Sequence, residues 1–226
     1  MQDIIIALDG YSGCGKSSTA KKVAQALNYT YLDSGAMYRA VTLYLLKHHV
    51  NLQDPVAILE ALENITISFS RNEDSRINET YLNGENVEEE IRKMEVSENV
   101  SAVSALPVVR EKMVYQQRAL GKNKRVVMDG RDIGSHVFPE AELKIFMTAD
   151  LKVRARRRMN ELAEKGIKVS LEEIESNLEE RDKLDSSRKQ SPLIKTEDAV
   201  EIDTTYLDFN EQVNKIVELA KKLINR

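Results

Sequence analysis

Five consecutive apolar residues, Ile4-Ile5-Ile6-Ala7-Leu8, run into a glycine-rich turn over positions 10–15, and a stripe at Ala20, Val23, Ala24 and Leu27 follows. The run is apolar on both faces of a strand, which suits a strand buried between helix layers in a parallel sheet. The stripe has the i, i+3, i+4, i+7 spacing of an amphipathic helix. Between them, Gly10-Tyr11-Ser12-Gly13-Cys14-Gly15-Lys16-Ser17 fits G-x-x-x-x-G-K-[ST] at every fixed position. Glycines there let backbone N–H groups converge on phosphate oxygens, and the helix N-terminus adds its dipole. Lys16 can reach the β- and γ-phosphates, and the Ser17 hydroxyl can ligate Mg²⁺. Residues 10–18, ending at Ser18, are therefore the candidate cradle for a nucleoside triphosphate. Cys14 contributes its backbone to that loop; a redox-sensitive thiol is the other reading.

The same alternation continues. An extended piece at 30–33 precedes a helix marked by Met37, Ala40, Val41, Tyr44 and Leu45, and a short helix follows at 55–62. The middle changes period. Residues 65–69 alternate with period two, 77–82 form a second extended stretch, and Asn83-Gly84 closes it with a hairpin signal. This predicts a small antiparallel insertion at about 64–90. Helices are expected at 91–105 and 107–120, and strands at 125–129, 143–148 and 199–203. Asp150 can cap a helix that ends before Gly166, and Ser170 with Glu173 reads as a capping box for a helix to about 187. A final helix carries Val213, Ile216, Val217 and Ala220, with Asp208 and Glu211 as its cap. About five buried strands among helices predict a doubly wound parallel sheet, which binds ligands beyond the carboxyl ends of its strands. The 226 residues read as one phosphate-loop domain.

Composition removes several classes. The net charge of −4 argues against a general nucleic-acid binder, and 42% hydrophobic residues argue against disorder. One cysteine excludes an internal disulfide and suggests a reducing, cytoplasmic home. No apolar run approaches a membrane helix, and Met1-Gln2-Asp3 does not read as a basic leader. The three histidines and one cysteine do not stand at metal-site spacings. No heptad pattern is present, so a monomer is expected.

Phosphate loops serve GTPases, ATPases and kinases alike. The guanine-reading Asn-Lys-x-Asp is not matched by Asn123-Lys124-Arg125-Val126. Three clusters instead point to a second anionic ligand, hence a small-molecule kinase. Asp33-Ser34-Gly35-Ala36-Met37-Tyr38-Arg39 follows the second strand; Ser34 is placed to cap the helix and Arg39 to grip an acceptor phosphate. Asp129-Gly130-Arg131-Asp132 ends a central strand, with Asp129 placed for Mg²⁺ and Arg131 for charge between two phosphates. Arg181, Asp185 and Arg188 share one helix stripe, as do Arg154, Arg157 and Arg158. Each stripe is either a solvated charged face or a phosphate-binding surface. Four arginines within 154–158 favour a lid over the triphosphate, and nucleic acid is the other polyanion.

Together these residues make the chain resemble the bacterial cytidylate kinases, a family of nucleoside monophosphate kinases. The similarity runs almost end to end. It includes the loop, Leu32-Asp33-Ser34-Gly35-Ala36-Met37-Tyr38-Arg39, Asp129-Gly130-Arg131-Asp132-Ile133-Gly134, Val137-Phe138-Pro139, Lys144-Ile145-Phe146, Arg157-Arg158-Met159, Glu180-Arg181-Asp182 and Ser191-Pro192-Leu193. The resemblance implies transfer of the γ-phosphoryl group of ATP to CMP or dCMP with Mg²⁺. It implies an acceptor-binding part at about 34–105 and a lid at about 152–168. It assigns Ser34, Arg39 and Arg131 to the acceptor phosphate, and Ser101, Arg110, Asp132 and Arg188 to the cytosine and its surroundings. Arg181 and Asp185 fall to the ribose, and Arg154, Arg157 and Arg158 to the lid, the last two with Lys16, Asp129 and Arg131 as catalytic. Two positions depart from the family's usual residues: Tyr11 where proline is frequent, and Ser18 where threonine is common.

Overall fold

A computed structural model describes residues 2–71, 78–164 and 166–225. In chain order the strands are β1 (Ile5–Gly10), β2 (Thr30–Asp33), β3 (Ile67–Arg71), β4 (Asn78–Leu82), β5 (Glu85–Asn86), β6 (Val126–Gly130), β7 (Leu143–Thr148) and β8 (Val200–Asp203). The helices are α1 (Lys16–Leu27), α2 (Ser34–Lys47), α3 (Pro55–Glu63), α4 (Met94–Ala105), α5 (Pro107–Leu120), α6 (Leu151–Glu164), α7 (Leu171–Ser187) and α8 (Phe209–Ile224). The chain divides into two compact units. Met1–Tyr31 and Lys124–Arg226 make the first, and Leu32–Asn123 makes the second.

The first unit is built on a five-stranded sheet of order β2-β6-β1-β7-β8. β1 lies at its centre, parallel to β6 with Leu8 opposite Asp129, and parallel to β7 with Gly10 opposite Met147. Every β1 side chain is buried, as an apolar run with helices on both sheet faces requires. Ile4, Ile6 and Leu8 pack with Val23 and Ala24 of α1 and with Val213, Ile216 and Val217 of α8. The expected caps are present: Ser170–Glu173 for α7 and Asp208–Glu211 for α8 both form reciprocal boxes. Asp150 Oδ1 accepts from the N–H groups of Lys152 and Val153 at the start of α6. β6 starts one residue later than expected, because Lys124 and Arg125 both sit at φ 54°, outside the strand region.

The second unit has its own core. Met37, Val41 and Leu45 of α2 meet Ile58 and Leu62 of α3, Val96, Val100 and Val103 of α4, and Val109 and Met113 of α5. The three-stranded antiparallel sheet β3-β4-β5 belongs to it. Asn83 at φ 51° and Gly84 at φ 87° form a two-residue turn that sets Leu82 opposite Glu85, as the Asn-Gly signal predicts. Of the extended stretch expected at 77–82, position 77 lies outside the described residues. The single helix expected over 91–105 is instead a 3₁₀ turn, Glu90–Arg92, and then α4. Lys93, extended at ψ 158°, interrupts it. Among the described residues no helix is long and apolar enough to cross a membrane.

Candidate active site

The phosphate loop starts where β1 ends. Gly10 has φ 146°, and a Cβ there would lie 2.0 Å from the Met147 carbonyl oxygen on β7, so only glycine can lead the chain out of the sheet. Gly15 is the N-cap of α1 and carries no capping side chain, which leaves the first-turn N–H groups for an anion. The Lys16 side chain is buried, and its ammonium donates to Tyr11 O at 2.6 Å. Burial, and then the Arg131 charge, hold the Lys16 pKa below the ordinary lysine range. Ser17 Oγ donates to Asp129 Oδ2 at 2.8 Å, and the Tyr31 hydroxyl donates to Asp129 Oδ1 at 2.8 Å. A hydroxyl and a carboxylate meeting at a phosphate loop are hard oxygen donors, the set that Mg²⁺ takes together with water and phosphate. The residues present fit that ion.

Beyond β6 the chain forms one turn of π-helix, Ile133–Val137. Arg131 Nε donates to Asp185 Oδ2 on α7 at 2.7 Å, and Arg188 Nη1 lies 3.7 Å from Asp185 Oδ1. The pair tunes both groups. Burial pulls the Arg131 pKa down, but the Asp185 charge and hydrogen bond outweigh it and raise the value. Burial alone would lift the Asp185 carboxyl, yet the Arg131 and Arg188 guanidiniums hold it below the usual range. Asp185 on the α7 stripe thus gathers two of the arginines read from the sequence. Asp132, the residue after Arg131, is buried.

Asp9 was not singled out in the sequence. Its Oδ1 and Oδ2 accept from the N–H groups of Ile133 and Gly134 at 2.8 and 2.7 Å. Burial pushes its carboxyl up to about 7, against the opposing effect of those two hydrogen bonds. The one residue between the apolar run and Gly10 therefore fixes the turn that follows Arg131 and Asp132.

The three arginines of the α6 stripe, Arg154, Arg157 and Arg158, differ in setting. Arg154 is buried; its guanidinium donates to Ala149 O at 3.0 Å, to Ser12 O at 3.1 Å and to Asp182 Oδ2 at 2.6 Å. Arg157 donates to Thr204 Oγ1 at 3.1 Å and to Thr204 O at 2.7 Å, while the Thr204 hydroxyl reaches Cys14 O at 3.2 Å. Arg158 is exposed enough to pair with Glu161 at 3.0 Å. Thr204 and Asp182, neither singled out as a functional residue in the sequence, thus join α6 to the phosphate loop.

In the second unit Asp33, not Ser34, caps α2: its Oδ1 accepts from the Ala36 N–H at 2.9 Å. A carboxylate one residue earlier reaches the same orphan donors, and Ser34 becomes the first helical residue, buried. Arg39 is half-buried one turn further on. Arg110 is buried on α5, 5.4 Å over the Tyr38 ring, with Nη1 donating to Ser104 O at 3.1 Å. Ser101 O accepts from Ser104 Oγ at 3.0 Å on α4. Arg110 is therefore no surface residue, as a lone helical arginine would ordinarily be.

The doubly wound sheet, the glycine loop leading into α1 and the strand-end Asp129 define a phosphate-loop kinase. A family model described as Cytidylate kinase matches residues 6–222. Curated relatives named cytidylate kinase come from Cytophaga hutchinsonii, 56% identical over 97% of this chain and 94% of that protein, and from Flavobacterium johnsoniae, 48% identical over 99% of each. A third, from Bacteroides thetaiotaomicron, is 49% identical over 99% of each. The chain belongs to the cytidylate kinase family. Among solved structures, an uncharacterized protein from Eubacterium ventriosum (TM-score 0.53, 14% identity, 98% and 99% coverage) shares the fold. So does the shikimate kinase from Acinetobacter baumannii (TM-score 0.50, 15% identity, 98% and 94% coverage).

Proposed function

We propose that the chain transfers the γ-phosphoryl group of ATP to CMP or dCMP, giving ADP and CDP or dCDP. The observation that carries the reading is the meeting of Ser17 and Asp129 at 2.8 Å on the rim of the loop that begins at Gly10. Residues 10–18 wrap the donor phosphates through their N–H groups, with Lys16 on the β- and γ-phosphates. Ser17 and Asp129 hold Mg²⁺, which supplies neutralising charge on the donor oxygens when bound. Tyr31 steadies Asp129 in that role.

Acceptor binding is assigned to Ser34, Arg39, Ser101, Arg110, Arg131, Asp132, Arg181, Asp185 and Arg188. Residues 34–105 act as the acceptor-binding part and 152–168 as the lid. Arg157 and Arg158 contribute positive charge from α6. One oxygen of the acceptor phosphate attacks the γ-phosphorus in line, and the bond from that phosphorus to the β,γ-bridging oxygen breaks as ADP leaves. The attacking oxygen is already ionised at neutral pH, so the protein needs no general base. Its work is to bring two polyanions together and to keep water out. The proposed setting is the cytoplasm, as a monomer without a nucleic-acid partner.

Steady-state assays with ATP, Mg²⁺ and a panel of CMP, dCMP, UMP and AMP test the reading. CMP and dCMP are expected to give the highest kcat/KM. A preference for UMP or AMP, or ATP hydrolysis without acceptor turnover, would overturn it.

A further inference from the structure

Asp182 belongs to the Glu180-Arg181-Asp182 motif but has no part in the chemistry above. It lies on α7 and faces the crest of the phosphate loop. Its Oδ1 accepts from the Ser12 N–H at 3.4 Å, and its Oδ2 accepts from Arg154 Nη1 at 2.6 Å. The same Arg154 nitrogen donates to Ser12 O at 3.1 Å. The N–H and the C=O of Ser12 are thus held by the two members of one ion pair, whose side chains are only 8% and 14% exposed. Arg154 is anchored in turn by Nε on Ala149 O at 3.0 Å. Its guanidinium lies 5.4 Å over the Tyr11 ring, which meets Phe146 of β7 edge-on at 5.8 Å. The loop passes so close to α6 that a Cβ on Gly13 would come within 3.3 Å of Arg154 Cβ.

A phosphate loop binds through N–H groups whose directions are set by the peptide planes between them. Holding the Ser12 N–H fixes the peptide plane that comes from Tyr11, and holding its C=O fixes the plane that leads into Gly13. Tyr11, the departure from the family's usual proline, replaces that residue's covalent stiffness with a ring clamped between Arg154 and Phe146. We propose that Asp182 is a positioning residue for the donor phosphates: with Arg154 it holds the crest of the loop in its binding shape and makes that shape depend on the seating of α7. Arg154 then serves the triphosphate through the loop backbone. The proposal rests on the reading of residues 10–18 as the donor cradle.

The test uses the full chain and four proteins beside wild type: Asp182→Asn, Arg154→Lys, their double variant, and Lys16→Ala. The isosteric Asp182→Asn is chosen because it keeps the shape of the side chain and one acceptor; it still removes the charge that offsets buried Arg154, as any neutral replacement would. Its amide offers one acceptor where two donors need one each. Expected is a rise of about tenfold in KM for ATP with KM for CMP changed less than about twofold. Arg154→Lys keeps the charge, loses the fork and should do the same. The double variant should be no worse than the poorer single variant, because both break one device. An unchanged KM for ATP, an equal rise in both KM values, or additive effects would overturn the proposal. Failure of both single variants to fold would assign the pair to stability alone and overturn it too. Lys16→Ala separates the two readings: if it abolishes transfer while Asp182→Asn leaves ATP binding intact, the cradle stands and the positioning role falls.

Discussion

Lys16 rests on the carbonyl oxygen of Tyr11 at 2.6 Å, with Cys14 Sγ at 3.8 Å. These are contacts within the loop, so losing them leaves the sheet and its two helix layers in place. Lys16→Ala is therefore expected to keep the circular-dichroism spectrum and melting behaviour of wild type. Its kcat should fall by at least about 10²-fold, the scale for removing a group aimed at developing phosphoryl charge. Near-normal turnover of the folded variant would sink the assignment. Asp9 makes a different prediction. Its carboxyl is raised from 3.8 to about 7 by burial, so the folded state holds a proton that the unfolded state has released throughout that interval. The burial cost is full above pH 7 and shrinks as pH falls toward 4, so this group's contribution to stability improves on acidification. Asp9→Asn cannot titrate. In urea melts at pH 5 and pH 8, wild type should gain stability relative to Asp9→Asn at the lower pH; a difference independent of pH would show that the site does not titrate in that range.

At the scale of elements, the signals that survived into the structure are local ones. The apolar run before Gly10, the Asn83-Gly84 turn and the boxes at Ser170–Glu173 and Asp208–Glu211 depend on residues within a few positions of one another, and each appears as read. A few local readings also shift, the cap of α2 to Asp33 and the helix break to Lys93, but the site contacts missed are of longer range. Nothing near Asp9 announces that its carboxylate will meet N–H groups 124 and 125 positions away. Nothing near Arg154 says that it will be buried on Ser12 rather than solvated like its neighbour Arg156. The stripe of Arg154, Arg157 and Arg158 was legible as one helix face, but helix spacing does not reveal what the face packs against. The resemblance to a family supplied the roles of Ser101 and Arg110, which spacing alone left as ordinary helix positions. Gly10 belongs to the locally legible class and can be tested there. Gly10→Ala forces β1 and β7 apart at the Met147 carbonyl oxygen, 2.0 Å from the added carbon, and strains a φ of 146°. A loss of about 3–4 kcal/mol in denaturant melts is expected. A loss under about 1 kcal/mol would mean that the strand ends can part freely.

Among the described residues the two largest hydrophobic cores follow the division of the chain. Ile6, Leu8, Val23 and Ile216 belong to the core of the first unit, and Met37, Val41, Ile58 and Met113 to that of the second. The first unit is discontinuous in sequence, Met1–Tyr31 with Lys124–Arg226, and Leu32–Asn123 is inserted between its parts. Two separate cores favour unfolding in more than one step, so the calorimetric enthalpy should exceed the van't Hoff value. The proposed donor ligands, residues 10–18 and Asp129, all lie in the first unit. A non-hydrolysable ATP analogue with Mg²⁺ at 100 times its Kd adds about 2.7 kcal/mol to whatever folds with its site. Hydrogen exchange read peptide by peptide should therefore show slower exchange in β1, α1, β6 and β7, with α3 and the β3–β4 pair unchanged. Equal protection of both units by the donor analogue alone would mean that they unfold as a single cooperative body, and the assignment of donor binding to the first unit would then need a direct probe such as Lys16→Ala under the same conditions.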